Sequence, residues 1–207
     1  MTANTQKEME IELNHNQFTL LGLVSEGEPE YQYQATYPYM INKKIKERGM
    51  KAWTNMGEMG RSSIYRILKE LESLKLITHY TEEVDNRRRK VYSITEKGIT
   101  LLKKRIYKVI STFMGKNDED FYVAFSMLPL LRQRQQIQAF TKSIEKITNH
   151  IKELEEMLKE NAQFPLNVIG LFMHPIEILK TDVKFLRWVL EEVKKGKGKV
   201  SYSDYNK

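Results

Sequence analysis

Cysteine is absent from this 207-residue chain. Disulfides, thiolate metal sites and cysteine nucleophiles are excluded together. No apolar run approaches the roughly 20 residues that a membrane span needs. Met1 to Asn16 is polar and acidic and lacks the apolar core of a secretory signal, so a cytoplasmic protein with a loose tail over 1–16 is expected. A Gly-rich phosphate loop is also missing. The four histidines, His15, His79, His150 and His174, are scattered without the spaced partners that metal binding or general-base work requires. Glu153, Glu155, Glu156 and Glu160 fit a solvated helix flank better than a pair of catalytic carboxylates. These absences argue against an enzyme and imply no cofactor.

Acidic charge is scarce in one segment only. The chain carries a formal +7. Residues 38–116 hold 19 Lys and Arg against 8 Asp and Glu, while residues 1–37 hold one Lys against six Glu. The remainder is nearly balanced. With 41% hydrophobic and 29% charged residues the chain is globular in type. A localised cationic excess suggests a polyanionic partner, or merely solvated helix faces.

The residue pattern gives an order of elements. Phe18–Val24 reads as a short buried helix ended by Ser25-Glu26-Gly27-Glu28-Pro29. Glu30–Tyr39, with Tyr31, Tyr33, Tyr37 and Tyr39, reads as loop or as a short strand on the Tyr31/Tyr33 alternation. Tyr39–Arg48 reads as helix, with Met40, Ile41 and Ile45 inward and Gly49 as its cap. After a loop over Met50–Gly60, residues 61–74 form a second strong helix. Ile64, Ile67, Leu68, Leu71 and Leu74 make its apolar stripe.

Ile77–Tyr80 and Lys90–Ile94 read as two short strands around a polar hairpin loop, Thr81–Arg89, with Asp85-Asn86 as the turn. Tyr92 and Ile94 share a face by two-residue periodicity. Thr95 is placed to cap a helix running to about Met114. That helix buries Ile99, Leu102, Ile106, Val109, Ile110 and Phe113.

Helix, helix, helix, strand, basic hairpin, strand, helix is the order of a winged helix-turn-helix. A recognition helix needs a polar, partly basic face beside its core stripe. Arg61, Ser62, Ser63, Tyr65, Arg66 and Lys69 supply it. Small serines at the start let backbone approach a phosphate, and the helix N-terminus favours anions. Arg66 has the fork suited to guanine. Tyr65 suits either the core or a phosphate. Arg87, Arg88, Arg89 and Lys90 put four cations in the wing, and Lys43 and Lys44 can add phosphate contacts. The partner this implies is double-stranded DNA. The rival is a winged-helix protein-interaction module without specific DNA binding.

Gly115–Asp118 is the natural boundary between a DNA-binding domain, 17–115, and a helical domain, 118–195. A tail over 196–207 follows. A short apolar helix, Asp118–Leu128, ends at Pro129. Beyond it Leu130, Ile137, Ile144, Ile151 and Leu158 lie seven apart. Phe140, Ile147 and Leu154 fill the place three further on, with Gln133 the exception. Such heptads make a coiled-coil seam. The seam can close on the last helix, 166–193, within one chain, on a second copy, or on both; the third is favoured. Ile137, Phe140, Ile144, Ile147, Ile151, Leu154, Leu158, Leu186 and Leu190 are the expected dimerisation residues, in an antiparallel long-helix arrangement. Pro175 should kink the last helix.

These residues resemble the PadR family of bacterial and archaeal transcriptional regulators. The resemblance rests on Thr19-Leu20-Leu21-Gly22-Leu23-Val24, on Gly60–Glu72 with its hydroxyl-Ile-Tyr-x-x-Leu-x-x-Leu-Glu run, on Leu76-Ile77, and on Arg87–Gly98. Trp188 in the last helix looks like the family's longer branch, so the resemblance covers roughly residues 17–193. It implies a mainly α chain with a two-stranded wing, acting as a homodimeric, effector-responsive repressor on a palindromic operator. One departure stands out: where the family has a short loop with His-Gly-Tyr, this chain has the longer Glu28–Tyr39. That segment suits a packing flap, an interface piece or part of a pocket. Tyr37, Trp53, Phe121, Phe172 and Trp188 are candidates for lining a small-molecule effector site, with core packing the simpler role for most of them.

Overall fold

A computed structural model describes residues 11–31, 34–50, 59–115, 118–161 and 163–200. Trp53, Tyr33, Gly57 and the tails 1–10 and 201–207 lie outside the described residues, as do residues 116–117 of the expected boundary. Seven helices and a three-stranded antiparallel sheet follow in the order α1 (His15–Glu26), β1 (Ala35–Thr36), α2 (Pro38–Glu47), α3 (Arg61–Ser73), β2 (Ile77–Val84), β3 (Arg87–Ile94), α4 (Glu96–Thr112), α5 (Glu119–Ser126), α6 (Gln133–Glu160) and α7 (Leu166–Lys194).

The helix α1 is the axle of the amino-terminal part. Asn14 and Gln17 form a capping box at its start, satisfying two orphan amides reciprocally. Every residue from Phe18 to Ser25 is buried, so the helix is enclosed on all sides. Gly22 has a packing reason: a Cβ there would lie 2.1 Å from the Met127 sulfur. α3 buries the expected Ile64, Ile67, Leu68 and Leu71 against α1. α2 buries Ile41 and Ile45, while Met40 is only half-buried.

The sheet differs from a two-stranded wing in two ways. The Tyr-rich segment contributes the third strand at Ala35–Thr36, paired to Ser93 and Tyr92, and Tyr31 lies outside it. The hairpin is also longer than expected. β2 and β3 pair without interruption from Ile77↔Ile94 to Val84↔Arg87, so Thr81–Val84 and Arg87–Arg89 are strand. Opposite charges face each other across it, Glu82 to Arg89 and Glu83 to Arg88, and such cross-strand pairs stabilise a ladder. Only Asp85 and Asn86 turn, both with positive φ (51° and 58°). A two-residue turn of this hand matches the strand twist, and Asp and Asn tolerate it best after glycine.

Thr95 caps α4, its hydroxyl accepting from the Gly98 amide at 3.0 Å. A Cβ on Gly98 would fall 2.1 Å from the Leu76 carbonyl oxygen, so glycine lets α4 close onto the base of the wing. α5 packs on α4 and α1, with Phe121 stacked on Phe113 at 3.9 Å. Asp120 of α5 accepts from His15 Nδ1 of α1 at 2.7 Å and from Arg105 of α4. The His15 bond, reinforced by Arg105, holds the Asp120 carboxyl below the ordinary 3.8. A depressed folded pKa means stability present above the unfolded value and lost as pH falls through the folded one. Asp120→Asn is therefore expected to lower the urea midpoint at neutral pH and to flatten its decline between about pH 5 and 2. An acid limb as steep as the wild type's would count against this latch.

The long helices form the carboxy-terminal part. α6 packs along α7 and also on α4. The seam expected to pair two copies is closed within one chain. Phe140, Ile147, Ile151 and Leu186 are buried, and Ile137, Ile144, Leu154, Leu158 and Leu190 are half-buried against the same core. The intra-chain half of the expected packing is thus formed, and the five half-buried side chains keep part of their surface open. Gln133, the exception in the heptads, has its own bond; its amide donates to the Val193 carbonyl at 2.8 Å, tying the start of α6 to the end of α7. α7 runs through Pro175 as one helix.

Candidate nucleic-acid interface

α3 begins at Gly60, which supplies no side-chain acceptor for the first-turn amides. Its apolar stripe fixes which residues face outward. Arg61, Ser62, Tyr65, Arg66 and Lys69 are exposed and Ser63 is half-buried. Tyr65 is 52% exposed, so its ring belongs to the outer face and not to the core. Arg66 bonds Glu70 at 2.5 Å one turn on, and Gln17 of α1 also donates to Glu70. An exposed i,i+4 pair contributes only about 0.3–0.5 kcal/mol, so Arg66 is held lightly.

The wing and α3 open onto one groove. A cavity of about 750 Å³ is lined by Tyr37, Pro38 and Tyr39 at the start of α2, Tyr65 of α3, and Val84, Asp85, Arg87, Arg88, Arg89 and Lys90 of the hairpin. A smaller one of about 130 Å³ adjoins α2 and α3 at Pro38, Tyr39, Asn42, Arg61, Ile64 and Tyr65. Arg87, Arg88 and Lys90 are exposed. Strand alternation puts Arg87 and Arg89 on one face, Arg88 and Lys90 on the other.

Two expected cations have other employment. Lys44 is largely buried, with its amine 2.8 Å from a Glu28 carboxylate oxygen and 2.6 Å from the Gly27 carbonyl. It neutralises a buried acid and is not available to a phosphate. Lys43, exposed beside Glu47, remains on the surface. Arg89 turns toward the Tyr-rich segment. Its Nε donates to Glu82, its Nη2 donates to the Tyr31 hydroxyl at 2.8 Å, and its guanidinium lies 4.2 Å from the centre of the Tyr37 ring.

Sequence reasoning missed the framework behind this. Glu26 receives both terminal nitrogens of Arg48, at 2.7 and 2.6 Å, and Glu28 receives the Thr36 hydroxyl at 2.6 Å. The only signal was the Glu26/Glu28 spacing ahead of a basic helix. Among the described residues the effector candidates Tyr37, Phe121, Phe172 and Trp188 take different places. Phe121 is core, Tyr37 belongs to the wing groove, Phe172 is half-buried on α7, and Trp188 is 59% exposed. Among the described residues no three His, Cys, Asp or Glu side chains gather to hold a metal, and no helix is long and apolar enough to cross a membrane.

A second unpaired surface lies on α7. Leu171 (74% exposed), Ile178 and Phe185 recur at sevens, with Trp188 beside Phe185 at 6.0 Å. Large side chains in a row on one helix are an exposed apolar patch that calls for cover.

No curated protein matches the chain. Among solved structures, Bacillus subtilis PadR in complex with operator DNA is 20% identical, over 87% of this chain and 99% of that one, with a TM-score of 0.39. The same protein in complex with p-coumaric acid is 17% identical, over 86% and 94%, with a TM-score of 0.35. The protein smu.1604c from Streptococcus mutans UA159 is 24% identical, over 84% and 98%, also at 0.35. The model of the transcriptional regulator PadR-like family matches residues 21–104, which span α1 from Leu21 through the first half of α4. Over those residues the chain is similar to the transcriptional regulator PadR-like family.

Proposed function

We propose that this protein is a sequence-specific DNA-binding transcriptional regulator that acts as a homodimer on a two-fold operator. The observation that carries the reading is the shared groove: Tyr65 on the outward face of α3 lines it together with the wing cations Arg87 to Lys90. α3 enters the major groove with Arg61, Ser62, Ser63, Tyr65, Arg66 and Lys69 toward the bases and their flanking phosphates. Arg87, Arg88 and Lys90 meet the neighbouring backbone, with Lys43 beside them. The DNA-binding unit is residues 17–115 and the helical unit is residues 118–195. Pairing of two copies runs through Leu171, Ile178, Phe185 and Trp188 on α7, the apolar face that the chain's own core leaves open. Repression relieved by a small-molecule effector belongs to the same reading and is supported by the family resemblance.

A mobility-shift titration on DNA from upstream of its own gene tests this. Three wing cations on each of two copies give six phosphate contacts. Counterion release then lowers affinity about a thousandfold between roughly 50 and 200 mM salt. A winged-helix module that binds only protein would show no upstream preference and no such slope.

A further inference from the structure

The wing tip is a two-stranded ribbon beyond the third strand. β1 pairs with β3 only at Ser93 and Tyr92, near the base. From Thr81 to Lys90 no third strand pairs with the hairpin among the described residues, and an isolated two-stranded hairpin is marginal in water. Arg87 and Arg88 sit at the far end of it. Something must hold that end still if those cations are to meet a backbone in a fixed place.

A cluster at the middle of the ribbon does so. The Tyr31 hydroxyl donates to Glu82 Oε1 at 2.6 Å and accepts from Arg89 Nη2 at 2.8 Å. Arg89 Nε also donates to Glu82, its partner across the ladder. Tyr37 covers the guanidinium face at 4.2 Å and meets Tyr31 edge-on, 6.4 Å and 86° apart. Tyr37 in turn stacks on Tyr39, whose ring lines the groove. Desolvation and the bond to Glu82 push the Tyr31 phenol well up, while that same bond holds the Glu82 carboxyl below its ordinary value. The phenol therefore stays a neutral donor and the carboxylate a charged acceptor at neutral pH.

The clamp has a rigid base. The Glu28 amide donates to the Ala35 carbonyl at 2.8 Å and the Tyr31 amide to the Glu28 carbonyl at 3.1 Å. Glu28 is itself buried between Thr36 and Lys44. A loop so fixed to α1 and α2 can transmit a fixed position to what it grips.

We propose that Tyr31, together with Tyr37, is a positioning residue for the wing: it grips Glu82 and Arg89 and so fixes where Arg87 and Arg88 meet the DNA backbone. Arg89 is part of the grip and not a phosphate contact. This rests on the DNA-binding reading above. It gives Tyr31 and Tyr37 of the longer Glu28–Tyr39 segment a function: they brace the hairpin at Glu82 and Arg89.

A double-mutant cycle tests it, on a short DNA duplex of arbitrary sequence at low salt, where the wing contributes through backbone contacts alone. Tyr31→Phe keeps the ring and removes the hydroxyl. It is expected to weaken binding about five- to tenfold, the size of one typical intramolecular hydrogen bond. In a background with Arg87→Ala and Arg88→Ala the same change is expected to do nothing beyond twofold. Arg89→Lys, which keeps the charge and loses the fork, is expected to bind as weakly as Arg89→Gln. Equal losses in both backgrounds, no loss in either, or full affinity for Arg89→Lys would each overturn the clamp.

Amide hydrogen exchange reads the clamp without DNA. Tyr31→Phe is expected to speed exchange over residues 82–89 while leaving α1 and α3 protected. Unchanged exchange there would overturn the clamp even if the protein binds DNA. Faster exchange in a protein that binds no duplex would leave the clamp standing and remove the DNA-binding reading instead.

Discussion

Arg66→Ala is expected to cost the protein about 10- to 100-fold in affinity per operator half-site and almost nothing on unrelated DNA. A bidentate base contact is worth about 1–3 kcal/mol of discrimination. The bond that Arg66 must leave is an exposed pair with Glu70 on its own helix, worth a few tenths of a kcal/mol. The base contact wins by that margin, so the free protein's ion pair does not compete. Replacing Arg87 and Arg88 with alanine is expected to act differently. Four phosphate contacts vanish per dimer, so affinity falls on every sequence and the salt slope drops by about 3.6. Gel-shift titrations of both variants, on operator and on unrelated duplex, separate the two roles. A uniform loss from Arg66→Ala would move base reading to another residue of α3.

The second large effect concerns α7. Ile178→Glu is expected to turn the dimer into a monomer at micromolar concentration while leaving the fold intact. Ile178 is 40% exposed in the single chain, so the monomer tolerates a carboxylate there. In a two-fold seam the same change buries two like charges, and an uncompensated buried charge costs about 3–5 kcal/mol. One such charge raises the dissociation constant at least a hundredfold. Operator affinity should fall with it, because two half-sites are no longer bound together. Phe140→Ala is expected to do the opposite: Phe140 is fully buried, and its truncation should lower unfolding free energy by about 3–5 kcal/mol without dissociating the folded dimer. Sedimentation velocity and urea unfolding on both variants distinguish the faces. A dimer that survives Ile178→Glu would place the seam elsewhere.

That contrast shows what a heptad pattern can and cannot say. Ile137 to Leu158 did mark a seam, but periodicity records that a face is covered and not by which chain. The missing clue lay in α7, which is apolar on more than one side. Ile176, Leu179, Val183 and Leu186 close the seam on α6, and Leu171, Ile178 and Phe185 are left over. A helix with two apolar faces needs two partners.

The amino-terminal part was more legible, since its signals are local. The α3 stripe, the Thr95 cap and the Asp85-Asn86 turn depend on neighbours within a few residues. The wing's full length was not legible because Thr81–Arg89 is mostly charged. Its charges are in fact cross-strand pairs, Glu82 with Arg89 and Glu83 with Arg88. The partners of Lys44 and Arg89 were hidden for a related reason. A cation reads as surface until an acid or aromatic distant in sequence is brought to it, and Glu28 and Tyr31 are 16 and 58 residues away in the chain.

Hydroxyl-radical footprinting of the protein on its operator, with the complex's stoichiometry measured alongside, bears most directly on two-fold docking of α3 and the wing. Two protected patches on one face of the duplex, centred about one helical turn or a multiple of it apart and bound by two chains, are expected. A single patch bound by one chain, or a duplex cut evenly along its length, would contradict it.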